Sequence, residues 1–278
     1  MMYANEAKMV SNEVRVRELA FHAYNQRQNF EVSAERIMES ATKAKPAGNF
    51  SFDGRNWVPN EYMGYAVVSM LNANPGNEEL SKYLTEIQAS LNENLQPVNG
   101  FYMLPPESFH QTVANTLSDG RFKANILNAG IEPEYPDMVK SAFDKIAVSR
   151  LQNPIKMRAA GLSVFGTAIG MLFTFDNEAD YNRILRFRAG LYDDTKLAGL
   201  DVKMTRPIIG HITLAYIEQK LNKNQKEYLA TIINEINEDV RSKNKKNYFL
   251  ISNTGLRRYD HLAEFCNADN YPVYQFTI

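Results

Sequence analysis

Two hydrophobic periods alternate along this chain. In NPGNEELSKYLTEIQASLNENL, Leu80, Leu84, Ile87, Leu91 and Leu95 recur at spacings of four, three, four and four, which predicts an amphipathic helix. The same period puts Val139, Ala142, Phe143 and Ile146 on one face of EYPDMVKSAFDKIA, with Pro136 near its first turn. It returns in Tyr181, Ile184, Leu185 and Arg188 of a helix starting near Asn177, and in Leu229, Ile232, Ile233, Ile236 and Val240 of NKNQKEYLATIINEINEDVRSK. Asn224 and Glu227 resemble a capping box for that last helix. Residues 1–45 also read as helical: Val16, Leu19, Ala20 and Ala23 share a face, and Ser33 stands at the N-cap of SAERIMESATKA.

Between these segments lie short runs of strand formers: YAVVSMLN, GFYML, SFHQTVA, GHITLAYI, NYFLISNTGL and YPVYQFTI. KPAGNFSFDGRNWVPN, residues 45–60, is rich in Pro, Gly and Asn and reads as a connector. The longest apolar run, AAGLSVFGTAIGMLFTF at 159–175, has 17 residues. A bilayer needs about 20. Gly161, Gly166, Thr167 and Gly170 interrupt it, so it reads as two buried strands joined at FGT. MMYANEAKMVSNEVRVRELAF has no apolar core of signal-peptide length, and the expected location is cytoplasmic.

The order of elements repeats. The helix starting near Asn77 precedes His110 by 33 residues, and the helix starting near Asn177 precedes His211 by 34. Internal duplication is the natural reading. Strands and helices in this segregated order predict an α+β fold with antiparallel sheets.

Composition narrows the chemistry. A net charge of −1 argues against a chain that coats nucleic acid non-specifically, double-stranded DNA included. The single Cys266 excludes an intramolecular disulfide framework. There is no G-x-x-x-x-G-K-[ST], no H-E-x-x-H and no Cys/His cluster, so neither a P-loop nor a metal or other cofactor is expected. GLSVF lacks the second glycine of a nucleophile elbow.

Two of the four histidines stand in one motif, His-x-Thr, as SFHQTV (108–113) and GHITLA (210–215). Composition alone gives about 0.17 such tripeptides, and two about one time in a hundred. On a strand, residues two apart point the same way, so His110 and Thr112 share a face, as do His211 and Thr213. Folding the halves together would place two imidazoles and two hydroxyls around one cleft. Opening a cyclic phosphodiester needs a base, an acid and donors to the phosphoryl oxygens.

The paired motif resembles the two-histidine (2H) phosphoesterase superfamily. The likeness is closer to a little-characterised bacterial branch, a domain of unknown function, through FYMLPPESFHQTV, GHITLAYI and LRRYDHLAEF, and it runs from about Phe52 to the end. It implies two pseudo-symmetric lobes whose antiparallel sheets face a central cleft. The expected organisation is an N-terminal helical extension over 1–50 and a bilobal domain over 51–278. The implied activity is metal-independent opening of a cyclic phosphodiester of a small nucleotide or short RNA end, with His110 and His211 as acid and base and Thr112 and Thr213 on the phosphate. Gln111 departs from the usual apolar residue inside the motif. It should point away from the cleft, where the N-terminal helices could meet it.

Tyr102, Tyr216, Arg206, Arg257, Arg258 and Tyr259 are further candidates for phosphate or base contacts. RSKNKKN, residues 241–247, reads as the solvated end of a helix, and His22 and His261 read as structural. Two other functions use the same cleft: an RNA-end ligase or trimming enzyme, and a non-catalytic nucleotide sensor. The near-neutral charge ranks long RNA lower. The expected state is a monomer, with no membrane partner.

Overall fold

A computed structural model describes residues 16–242 and 247–278; expectations placed on residues 1–15 and 243–246 lie outside these. Helices α1 (Phe21–Glu31) and α2 (Ala34–Thr42) lead into a hairpin of β1 (Phe50–Phe52) and β2 (Trp57–Pro59). Then come β3 (Gly64–Met70), α3 (Glu78–Leu95), β4 (Phe101–Met103), β5 (His110–Ser118), α4 (Asp119–Phe122) and α5 (Tyr135–Lys145). The next stretch holds β6 (Ile155–Val164), β7 (Ala168–Phe175), α6 (Glu178–Tyr192), α7 (Thr195–Gly199) and β8 (His211–Ile217). Helix α8 (Lys223–Ser242) and strands β9 (Tyr248–Ile251), β10 (Asn253–Tyr259) and β11 (Val273–Gln275) close the chain.

The fold is α+β with an N-terminal helical region. Besides the small hairpin, two antiparallel sheets run in the orders β11-β10-β3-β5 and β4-β8-β7-β6-β9. Each sheet draws strands from both halves of the chain: β4 pairs with β8, and β10 with β3. The duplication shows in the pairing register. Across β3 and β5, His110 faces Met70, Thr112 faces Val68, Val113 bulges out, and Asn115 faces Ala66. Across β7 and β8, His211 faces Leu172, Thr213 faces Gly170, Leu214 bulges out, and Tyr216 faces Ala168.

The helical periods largely hold. All five predicted leucines and isoleucines of α3 are buried, as are Val139, Ala142, Phe143 and Ile146, and Tyr181, Ile184 and Arg188. In α8 the buried stripe stops at Asn237, leaving Ile236 and Val240 half-buried. The cap of α8 is a reciprocal pair between Asn222 and Gln225, at 2.9 and 3.0 Å, two residues upstream of the one expected.

Three expectations are corrected. Helix α1 starts at Phe21, so Val16, Leu19 and Ala20 precede it, and Ala23 is exposed; its buried face is Tyr24 and Gln28. That face is polar because it covers backbone: Tyr24 Oη donates to the Phe173 carbonyl at 2.8 Å, and Gln28 Nε2 donates to those of Phe173 and Gly210 at 2.9 Å. The 45–60 connector holds the β1–β2 hairpin. NYFLISNTGL splits at Ser252 into two strands belonging to different sheets. Among the described residues, no helix is long and apolar enough to cross a membrane.

Candidate active site

The bulges decide which side chains face the cleft. A strand of unbroken period two would continue from His110 and Thr112 to Ala114 and Thr116. Extra residues at Val113 and Thr116 shift the phase twice, so Asn115 and Ser118 follow instead, while Ala114 and Thr116 are buried. The bulge at Leu214 likewise brings Tyr216 into line with His211 and Thr213.

A cleft of about 390 Å³ is lined by His110, Thr112, Asn115, His211, Thr213 and Tyr216 from these two strands. Tyr259, Arg206, Tyr62, Phe265, Ser118 and Arg121 add to its walls. Among the described residues, no Asp or Glu side chain lines it. Within the described residues the hydroxyls of Thr112 and Thr213 have no hydrogen-bond partner, unlike that of Thr116, which donates to the Tyr65 carbonyl at 2.6 Å.

The two imidazoles are held alike. His110 Nδ1 lies 2.7 Å from the Ser108 carbonyl, and His211 Nδ1 lies 3.0 Å from the Ile209 carbonyl, each two residues upstream. A carbonyl only accepts, so Nδ1 carries the hydrogen and Nε2 is left as the titrating nitrogen in both rings. Each ring also packs on a phenylalanine: His110 on Phe265, with centroids 4.0 Å apart, and His211 on Phe165, at 5.1 Å. Burial disfavours the charged forms and lowers both pKa values to about 4; for His211 the Arg206 guanidinium and His110 add to the effect.

Gln111 is fully buried and faces away from the cleft, and among the described residues its hydrogen bonds do not go to the N-terminal helices. Its Oε1 accepts from the His211 backbone N–H at 2.6 Å, and its Nε2 donates to the Ile209 carbonyl at 3.1 Å and to its own strand at Thr112. One side chain thus ties the first motif to the second. Arg188, also buried, donates to the Val113 bulge carbonyl and to the Arg206 carbonyl, and pairs with Glu18. Glu18 in turn accepts from the Ile208 N–H at 2.7 Å, and Arg27 donates to the Ile208 carbonyl at 2.6 Å. The segment before His211 is therefore fixed from the N-terminal region and from α6 together.

The remaining candidates divide. Tyr216, Tyr259 and Arg206 line the cleft. Burial raises the pKa of both tyrosines well above the usual value, so they are neutral hydrogen-bonding groups. Tyr102 lies opposite Tyr216 on β4 but is covered by Phe50, with ring centroids 3.7 Å apart, and does not line the cleft. Arg258 faces the other side of its sheet, over the ring of Phe122, and is spent on Glu132 and Asp260, both at 2.9 Å. Arg257 is buried without lining the cleft; burial lowers its pKa. His22 and His261 are also absent from it. Among the described residues, no group of three or more His, Cys, Asp and Glu side chains could hold a metal ion.

Residues 51–167 match the family model 2H-phosphodiest, described as a domain of unknown function (DUF1868). Over that stretch the chain is similar to a 2H phosphoesterase-related domain. The matched stretch contains the first motif, and the shared register with its bulge relates the second motif to it. A conserved protein of unknown function from Agrobacterium tumefaciens has a similar fold, with a TM-score of 0.57 at 14% identity over 88% of this chain and 97% of that one. A Thermus thermophilus protein is more distant, with a TM-score of 0.40 at 17% identity over 72% of this chain and 88% of that one. No curated protein matches the sequence. The family name supports a phosphodiesterase-type function in general.

Proposed function

We propose that this protein is a metal-independent phosphodiesterase that opens a cyclic phosphodiester of a nucleotide or short RNA end. The observation that carries the reading is the repeated register, with two His-x-Thr pairs on one cleft that no carboxylate among the described residues lines. Such a cleft suits an anion, and it offers two Nε2 atoms and two uncommitted hydroxyls.

In the reaction, Nε2 of one histidine takes a proton from water as the oxygen attacks phosphorus. The bond from phosphorus to one ribose oxygen breaks, and the other histidine, protonated at Nε2, delivers its proton to that oxygen. Water and a cyclic diester become a phosphomonoester, and each role contributes about 10²–10⁴-fold. Thr112 and Thr213 donate to the non-bridging oxygens as charge builds there. Both histidines are neutral in the free protein at pH 7, so the acid acquires its proton with the substrate. The bound phosphodiester anion supplies the opposite charge that raises its pKa. Tyr216, Tyr259 and Arg206 act on the substrate's remaining groups, and the residues before about position 50 brace the strand that carries His211.

The test is a panel of cyclic phosphodiesters and short RNAs incubated with the protein, the products being resolved by mass. Ring-opened monoester formed with multiple turnover is expected. Stoichiometric binding with no product would replace this reading with the sensor, and joined or shortened RNA ends would replace it with the ligase or trimming enzyme.

A further inference from the structure

The two motifs are related by near-symmetry, but the walls beside them are not. Five residues before each histidine stand Pro105 and Arg206, and five residues after stand Asn115 and Tyr216. Around Tyr216 lie the aromatic rings of Tyr62 and Tyr259, and Leu104 and Phe265 also line the cleft. Around Asn115 it is polar and cationic, with Thr205 and Arg206 from the segment before β8, and Arg121 of α4 also lines the cleft.

The cations at that end have little to neutralise them. Arg206 is exposed and has no acidic partner among the described residues, and its side chain lies near the guanidinium groups of Arg188 and Arg27. Arg121 reaches a carboxylate only at 3.9 Å, on Asp201, and Asp201 is already held by Lys203 at 2.9 Å. A guanidinium without a carboxylate partner, on a cleft that no described Asp or Glu lines, is a group arranged for an anion that arrives with the ligand.

Resting on the phosphodiesterase reading, we propose that the substrate carries a second phosphate besides the cyclic diester, bound by Arg206 and Arg121 with Asn115 and Thr205 as hydrogen-bonding partners. In a nucleoside 2′,3′-cyclic phosphate, the base and the 5′ carbon both project away from the cyclic edge. With that edge at the histidines, the base lies on the aromatic wall and the 5′-phosphate reaches the arginines. The preferred substrate class is therefore a 5′-phosphorylated nucleoside 2′,3′-cyclic phosphate, free or as a short oligonucleotide end.

The experiment compares kcat/KM for a nucleoside 2′,3′-cyclic phosphate with that for the same compound bearing a 5′-phosphate. Charge-assisted hydrogen bonds of this kind predict a wild-type preference of about tenfold to a hundredfold for the phosphorylated compound. Arg206→Gln should bring the ratio toward one, and Arg121→Gln should lower it. A wild-type ratio of one, or a ratio untouched in both variants, overturns the second subsite. A binding arm needs no turnover: calorimetric titration with the 3′,5′-bisphosphate and the 3′-monophosphate of one nucleoside. Tighter binding of the bisphosphate in wild type, lost in Arg206→Gln, supports the subsite even if the cyclic compounds are not hydrolysed; that second result would sink the phosphodiesterase reading alone. Equal binding of the two ligands sinks the subsite alone.

Discussion

Gln88 and Arg188 occupy the same station in the two halves of the molecule. Gln88, on α3, donates to the Leu104 carbonyl before His110 and to the Leu214 bulge carbonyl beyond His211, at 2.8 and 2.7 Å. Arg188, on α6, donates to the Arg206 carbonyl before His211 and to the Val113 bulge carbonyl beyond His110. Each helix thus fixes the approach to its own histidine and the bulge of the opposite strand. The first half does this with a neutral amide. The second half uses a guanidinium, and Glu18 supplies its counter-charge.

Arg188→Gln should therefore be costly even though Gln serves at the matching position. It leaves the partly buried Glu18 carboxylate without its cation, and breaking such a pair typically costs about 3–5 kcal/mol. Adding Glu18→Gln removes the orphaned charge and should restore part of the loss. Urea unfolding of the two single variants and the double variant measures this. A double variant as unstable as the sum of the singles would show that the pair is not coupled.

Replacing either motif histidine by Ala should lower kcat by about 10²–10⁴, one proton-transfer role being lost in each case. The double variant should be far less than multiplicatively worse, because the two act as a unit. Thr112→Val and Thr213→Val should each cost on the order of 2–4 kcal/mol at most in transition-state stabilisation. A chelator should leave turnover intact. Wild-type kcat in either histidine variant, on a confirmed substrate, removes the two-histidine mechanism.

The lowered imidazole pKa values set two pH dependences. Folding depresses each from 6.5 to about 4, so between these values the unfolded chain binds more protons than the folded one. The contribution to stability is full above pH 6.5 and is lost as pH falls through about 4. Stability measured from pH 7 to 4 should drop less in a His110→Ala, His211→Ala double variant than in wild type. For turnover, kcat/KM reports the free protein and kcat the complex. The alkaline limb of kcat should lie at higher pH than that of kcat/KM, since bound phosphate favours the imidazolium. Coincident limbs would show that substrate does not protonate the acid.

Much of this site was legible in the sequence. His-x-Thr twice, at matching distances from two helix starts, located His110, Thr112, His211 and Thr213 on one cleft. Period-two reasoning stopped at the bulges, because a bulge is set by pairing with another strand. Asn115 and Ser118 were missed for that reason, and one signal was available in the near-match of HQTVAN with HITLAY. Tyr102 was legible as a strand residue but not as one capped by Phe50, a contact made by a hairpin hidden in a Pro/Gly-rich connector. Arg257 and Arg258 illustrate the same limit: their sheet faces follow from the register of β10 on β3, which no local pattern encodes. The face of α1 was misread because hydrophobic period assumes an apolar partner, whereas Tyr24 and Gln28 cover carbonyl groups.

Gly210 supplies the most direct test of how the N-terminal helix acts on the site. A Cβ there would stand 2.3 Å from Tyr24 Oη and 2.4 Å from Met157 Cε. The methionine end can swing aside, but the Tyr24 hydroxyl is held by the Phe173 carbonyl and by the Gly210 N–H at 3.1 Å. Gly210→Ala must therefore displace α1 or the peptide joined to His211. Overpacking of this kind costs about 1–3 kcal/mol of stability. A shifted backbone at 210 would also move the His211 N–H off Gln111 and lower kcat. Tyr24→Phe removes the clashing oxygen, so Gly210→Ala should harm the Tyr24→Phe background less than the wild type in both stability and kcat. Neighbouring sites that share a clash are non-additive in this way. Strictly additive effects on kcat would mean that α1 packs behind the histidine strand without positioning it.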